Sequence, residues 1–539
     1  MDSNTDRREF VLGFVAATFG AMLAPQSAAA SGALRDQPWA VWDYKDKPVR
    51  GGYFRTAVER YIGKMNPNHW PVLDWISMGY FHERLMLTDG EYKPTVPWLL
   101  EELKFEDPQT VLMRLREGVA FHDGSKFDAA SVKYQMEWIR DPKSNAWTAA
   151  WLAPLVSIDI VDERTLRWKF NVAWAAFAGV MANVPGYAMS TTALQADVEK
   201  YDTEPRGTGP YILEEASPDN FLKVKRNPNW WFAKASGNPE MPYFDGIHVL
   251  VIPDPAVRLA NLRAGKIDAL TLEKSQYAAL KDDPSITVYR SPSNHLNALR
   301  FNTTKGVFQD VRLRKAVSHA IDRKALIAGT QFGFARLASC MFPGDHWCHN
   351  PELAPVSYDP GLSKKLLAEA GHANGLTVRG YFINTTMGQT IAEAVKNMLA
   401  KVGIDWQVDL LPAAVTAKRM QALDYDLASG GWVFIYDPDL MPTGLYHPNG
   451  GFNFGRSKND AAIALIEAGR REIDLDKRQK IYWQLERVLY DAYEDAWLWW
   501  EETLVAYRKD VMGWDHENFL KYRDVWFWAH PLWFKNGKA

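Results

Sequence analysis

The segment Cys340-Met341-Phe342-Pro343-Gly344-Asp345-His346-Trp347-Cys348-His349 gathers two thiols, two imidazoles and a carboxylate. Groups of these kinds are metal ligands, but their spacing matches none of the recurrent zinc patterns. In an oxidising compartment a disulfide between Cys340 and Cys348, closing a Pro-Gly loop, is the plainer reading; free thiols and a metal are the alternatives. A second candidate is Asp437-Pro438-Asp439, where two carboxylates at alternate positions offer, in principle, the pair that cleaves a glycosidic bond. On a proline-kinked loop such residues more often cap and form turns. There is no Gly-x-Ser-x-Gly elbow, and His82-Glu83 fails the zinc-protease pattern because Met86 stands where the second histidine belongs. The expectation is a protein without catalytic residues, metal or cofactor.

The segment that best fits a binding role is Gly431-Trp432-Val433-Phe434-Ile435-Tyr436-Asp437. Residues Tyr425 to Val433 read as a buried strand and Phe434 to Asp439 as the loop leaving its end, where open α/β sheets place ligands. Aromatic side chains there enclose a solute and exclude water from it. The candidate contacts are Trp432, Phe434, Ile435, Tyr436 and Asp437, against the alternative that Trp432 to Tyr436 fill the core.

The elements that must carry these residues alternate between helix and strand. Leu313, Ala316, Val317, Ala320 and Ile321 follow one helix face, with Asp310 or Gln309 as cap. Ile391, Val395, Met398, Leu399 and Val402 mark another, stopped by Gly403, and Ile404 to Leu410 then alternates as a strand. Ile481, Leu485, Val488, Leu489 and Ala492 mark a long helix beginning after Asp474 or Asp476. Gly209 to Glu214 and Phe221 to Arg226 read as a hairpin. With 539 residues, 47% hydrophobic and 24% charged, the chain is globular and should hold two or three domains. A net charge of -3 gives no reason to expect nucleic acid. The 23 tryptophans are an excess, most of them expected in cores and between lobes.

The first 30 residues read as a cleavable signal peptide: Arg7-Arg8, an apolar stretch from Phe10 to Leu23, and Ala28-Ala29-Ala30. The basic end resembles a twin-arginine signal, although Asp6 replaces the usual Ser or Thr; an ordinary secretory signal is the alternative. A periplasmic location is expected.

Several motifs, in order, resemble one family: Leu115-Arg116-Glu117-Gly118-Val119-Ala120-Phe121-His122-Asp123-Gly124, Gly207-Thr208-Gly209-Pro210-Tyr211, Arg226-Asn227-Pro228-Asn229-Trp230-Trp231, Phe301-Asn302-Thr303, Ala320-Ile321-Asp322-Arg323 and Leu366-Leu367-Ala368-Glu369-Ala370-Gly371. The chain resembles the extracytoplasmic solute-binding proteins of ABC importers, family 5, the dipeptide, oligopeptide and nickel type. The resemblance implies a two-lobed α/β periplasmic-binding-protein (Venus flytrap) fold with an extra subdomain in lobe one. Mapped onto this sequence, lobe one spans about 35–290 with the subdomain at about 70–205, lobe two spans 291–499, and 500–539 returns to lobe one. It also implies a monomer that closes on a small solute and delivers it to a membrane permease and its ATPase; service to a chemoreceptor is a variant.

Dipeptide-type relatives place an aspartate three residues beyond the Gly-Trp, where it pairs with the ligand's ammonium; this sequence has Ile435 there. Where those relatives carry a basic residue and a tyrosine, this sequence has Phe382 and Asn384. Asp437 and Arg379 are the remaining candidates to meet a ligand's charges. The expected solute is therefore less charged than a free dipeptide: sugar-like, capped or aromatic.

Overall fold

The computed structural model describes residues 46–433, 435–453, 455, 457–521 and 530–537. The segment read from sequence as a signal peptide, with its arginine pair, and Phe434 lie outside the described residues. Among the described residues the largest sheet has nine strands. Two of them, Ile286–Phe301 and Asp495–Arg508, pair antiparallel along most of their length and run through both halves of the molecule. Their register shifts twice, between Pro292 and Leu296 and again between Asn297 and Ala298, and the first is the larger break. Pairing runs from Ile286 opposite Arg508 to Pro292 opposite Glu502 and resumes at Leu296 opposite Trp500, so residues 293 to 295 face Glu501 alone. Such a bulge bends and twists a ladder without severing it.

Different neighbours flank the two sides of this break. On one side Asp495–Arg508 pairs with Ala269–Leu272, which leads through parallel strands Tyr53–Val58 and Gly246–Val251 to the hairpin Phe221–Arg226 and Tyr211–Ser217. On the other, Leu427–Trp432 pairs with Leu296 to Phe301. That second body is built as its periodicity predicts. Helix Val311–Ala320 is capped by Asp310 and helix Leu475–Ala492 by Asp474, each through a side-chain oxygen that satisfies a free backbone N–H. Helix Thr386–Ala400 passes through Gly403, whose φ of +92° an L residue would resist, into strand Ile404–Leu411. That strand lies parallel to Leu376–Ile383.

The first body carries an added layer. A four-stranded antiparallel sheet, Leu100–Asp107, Thr110–Leu115, Thr165–Phe170 and Leu155–Asp162, packs against helix Ala129–Arg140. Asp128 and Ser131 form a reciprocal capping box at its start, and Val132, Met136 and Ile139 are buried with Met113 and Trp168.

This layer also touches the second body. Tyr92 stacks on His346 with centroids 5.5 Å apart, Trp347 N donates to Glu91 O at 3.1 Å, and Ala175 N donates to Arg470 O at 2.9 Å. Gly179 backs directly onto Asp437: a Cβ built there would lie 2.2 Å from the Asp437 Cβ. Substitution Gly179→Ala must therefore push the two bodies apart. The expected outcome is a larger radius of gyration by small-angle X-ray scattering, since about 1.4 kcal/mol of bias against the docked form shifts its population about tenfold.

Cys340 and Cys348 are both buried and free, which corrects the disulfide reading. The tie that a disulfide would supply comes from Glu486. Its Oε1 accepts from Phe342 N at 3.0 Å and its Oε2 from Asn350 N at 2.6 Å, while the Cys340 Sγ donates to its backbone oxygen at 3.5 Å. Burial pushes both thiols well above their ordinary range. His346 has no nitrogen left for a metal, because Nδ1 accepts from Cys348 N at 3.0 Å and Nε2 therefore donates to Ile435 O at 3.0 Å.

Buried titratable groups give this fold a defined pH response. Burial lowers His82 and His122 from 6.5 to about 4 and His530 to about 3. The unfolded chain takes up protons at these sites below pH 6.5, so stability is lost as pH falls toward 4. Burial raises Glu83 from 4.5 to about 7 and Asp439 from 3.8 to about 6, against the pull of their polar partners. There the folded chain holds protons that the unfolded chain has released, so acidification from pH 7 toward 4.5 favours folding and partly offsets the histidines. Below about pH 4.5 that offset is nearly spent. Urea midpoints are expected to change little from pH 7 to 5 and to fall steeply below 4.5; a maximum near pH 4 would contradict this account.

Candidate binding cavity

The register break of the crossing strands forms the floor of a cavity of about 470 Å³. Ser293, Asn294 and His295 of the bulge reach it, with Ser291 and Pro292 before them and Thr503, Val505 and Tyr507 from the partner strand. A volume of this size suits a small organic solute.

One wall is set by helix Trp75–Phe81. Asp74 caps it, its side chain accepting from Ile76 N and Ser77 N, and this fixes the direction in which Trp75 and Tyr80 leave the helix. Trp75 stacks on Tyr187, centroids 6.4 Å apart and planes at 12°. A second aromatic series lines the same cavity: Phe54 on Tyr507 at 6.5 Å, Tyr507 on Trp514 at 5.6 Å, and Trp514 against Phe519 at 4.7 Å. From the second body only Val433 and Tyr436, among the described residues, line the cavity.

Arg84 joins the two bodies at this wall. Its guanidinium carbon lies 5.4 Å from the Tyr187 ring and 5.3 Å from the Tyr436 ring, and Nη1 donates to Ala182 O at 2.6 Å. Such cation–π contacts strengthen as water is excluded. The preceding residue, Glu83, is fully buried and accepts from three indoles: Trp98 Nε1 at 2.9 Å and Trp230 Nε1 at 3.0 Å on Oε1, and Trp231 Nε1 at 2.9 Å on Oε2. This anchor holds the chain segment that delivers Arg84.

The hinge carboxylates have partners. Glu501 accepts from Asn297 Nδ2 at 2.9 Å and stands 3.4 Å from His295 Nδ1. Burial disfavours its charge, yet the hydrogen bond and charge from His295, with Lys274 behind, pull its carboxyl down to about 2. Glu502 accepts from Arg290 Nε at 2.8 Å.

Of the residues expected at the site from sequence, Tyr436 reaches the cavity, Phe434 lies outside the described residues, and the other described ones are placed elsewhere. Trp432 is buried in the second body against Phe452 and Gly444, and Ile435 is fully buried in the same core. Asp437 is held by Arg478, Nη1 to Oδ2 at 2.8 Å and Nη2 to Oδ1 at 2.7 Å, with both side chains almost completely excluded from solvent. Burial works against the Arg478 charge, and the charge of Asp437 more than restores it. Phe382 packs in the core around Trp406, while Arg379 and Asn384 are exposed and do not line the cavity. The reason is local: the strand ends at Trp432, and the turn Asp437–Asp439 folds back onto helix Leu475–Ala492 instead of projecting into the cleft. What sequence reading missed is the contribution of the first body and the hinge. The signal available was the aromatic content of Trp75, Tyr80, Tyr187, Tyr507 and Trp514, none of which lies in a patterned motif.

A family model described as bacterial extracellular solute-binding proteins, family 5, matches residues 94–453. The chain belongs to that family. Family 5 relatives among curated proteins include the glutathione-binding protein GsiB of Escherichia coli and that of Shigella flexneri, each 28% identical over 318 residues, 59% of this chain and 61% of the relative. The chain thus spans less than two thirds of the length of these relatives. Solved structures of similar fold include a periplasmic binding protein, DppA, from Helicobacter pylori in complex with the peptide STSA (23% identity, TM-score 0.77, covering 90% of this chain and 99% of that one). Another is NikA from Brucella suis in complex with Fe(III)-EDTA (22% identity, TM-score 0.79, covering 88% and 99%). The fold of this family 5 member is accordingly the two-lobed α/β periplasmic-binding-protein fold with an extra subdomain in lobe one.

Proposed function

We propose that the chain is the exported substrate-binding component of an ABC-type importer, a monomer that captures a small solute between its lobes and presents it to a membrane permease and its ATPase. The lobes are taken as about 35–290 with 500–539 and 291–499, the subdomain lying at about 70–205. The observation that carries this reading is the position of the cavity on the register break of the two strands shared by both bodies. A solute there touches the pivot and, through Tyr436, the closing lobe, so its contacts are fullest in the closed form; such a difference is what shifts an open–closed equilibrium. Export through the segment 1–30, by a twin-arginine or ordinary secretory route, places that task in the periplasm.

A hydrolase reading has no geometric support from Asp437 and Asp439. The first is paired with Arg478 and the second accepts from Thr443 Oγ1 at 2.6 Å beside Arg470, both away from the cavity.

The test combines two measurements on the purified mature chain. A thermal-shift panel of peptides, oligosaccharides, opines and aromatic acids should raise the melting temperature for one chemical class, because a ligand of the folded state stabilises it by mass action. Small-angle scattering should then show compaction with the same solute. Substitution Tyr436→Ala should weaken that binding about tenfold, the cost of roughly 1.4 kcal/mol expected for one aromatic and cation–π contact. Calorimetry reads it directly, and unchanged affinity would remove Tyr436 from the site.

A further inference from the structure

Resting on that reading, we infer that the cavity selects a solute carrying an aromatic ring and no free ammonium group. Three observations lead there. The first is shape. Trp75 stacked on Tyr187 forms one aromatic face, and Tyr507 stacked on Trp514, extended by Phe54, forms the other. Both stacks line the same cavity, so a planar ring seated there meets π surface and loses its hydration shell without loss of a hydrogen bond.

The second is charge. Among the described residues lining the cavity there is no aspartate or glutamate. The acidic side chains nearest the hinge and the second-body strand end are engaged: Glu501 with His295 and Asn297, Glu502 with Arg290, and Asp437 with Arg478. Recruiting one of them to a solute would strand its present partner. The Arg84 guanidinium, seated between Tyr187 and Tyr436, adds positive potential at the wall. An ammonium entering this space surrenders its hydration without a counter-charge, which is the costly case of buried ionic groups.

The third is where polar recognition remains. Ser293 and Asn294 sit in the bulge with Ser291 and Thr503 beside them, offering neutral hydroxyl and amide groups at the cavity floor. Neutral donors and acceptors of this kind suit an amide, ester or hydroxyl edge of a ring-bearing solute. Selectivity therefore resides in lobe one and the hinge rather than in the strand end of lobe two.

The experiment compares three probes by calorimetry on the mature chain: phenylalanyl-phenylalanine, its N-acetyl derivative, and N-acetyl-dialanine. The N-acetyl aromatic probe should bind at least tenfold more tightly than either of the others, and Trp514→Ala should reduce its affinity at least tenfold. Equal or tighter binding of the free dipeptide overturns the charge argument, and equal binding of the alanine probe overturns the ring argument. No binding of the N-acetyl aromatic probe overturns both. Scattering separates this from failure of the capture mechanism: if another solute class compacts the protein and the aromatic probe does not, the lobes close and only the class is wrong, whereas no compaction by any solute removes the mechanism itself.

Discussion

Substitution Asp437→Ala is expected to lower stability by about 3–5 kcal/mol, with the urea midpoint falling by the same amount whether or not solute is present. Arg478 would be left almost wholly buried with no carboxylate partner, keeping the bond from Nε to Gly469 O at 2.9 Å and its place 5.5 Å from the Tyr482 ring centroid. The loss follows from desolvation rather than from the worth of the pair itself, and a second substitution separates the two. Replacing both members, Asp437→Ala with Arg478→Met, removes the stranded charge and should recover most of the stability, because a buried ion pair and a well-packed apolar replacement are often of similar worth. If Asp437→Ala instead left the midpoint unchanged and abolished solute binding, the aspartate would be a ligand contact as its sequence position suggests, and its pairing with Arg478 would be incidental.

Substitution Glu83→Ala is the second large effect. It removes the shared acceptor of three buried indoles, each of which costs about 1–3 kcal/mol when its N–H loses its partner, for a total on the order of 5 kcal/mol. Glu83→Gln should cost far less: a carbonyl oxygen in the Oε1 position still serves Trp98 and Trp230, and only the bond to Trp231 becomes donor against donor. Because the glutamine cannot titrate, the pH response of the two proteins should also differ. Glu83 is raised to about 7 by burial, so the wild type gains on the glutamine variant as pH falls from about 7 toward 4.5. Chemical denaturation at pH 8 and pH 5 reads both the magnitude and its sign. An alanine variant as stable as the wild type would mean that the indoles find other acceptors.

How much of this was legible in the sequence depended on whether a residue's role is local. The caps Asp310, Asp474 and Asp128, the stop at Gly403 and the hairpin at Tyr211–Ser217 could be read because a helix end or tight turn is decided by the residues in it. The same logic failed at Asp437. Its carboxylate faces a guanidinium 41 positions later in the chain, and no local pattern announces that Arg478 will arrive beneath it. The site was half visible for a related reason. Tyr436 stood in a conspicuous aromatic run, but Trp75, Tyr187 and Tyr507 meet around the cavity only after strands distant in sequence have paired. The Cys340–Cys348 loop misled because the covalent tie suggested by spacing is replaced by a carboxylate from a helix more than a hundred residues downstream.

The unpaired step between Pro292 and Leu296 lies under the cavity. On the proposed capture reading, rotation about it displaces the atoms nearest it little and the distal rims a great deal. On that same reading a small object is converted into a wide change of outline, which is the quantity a docking surface on another protein can measure without touching the solute.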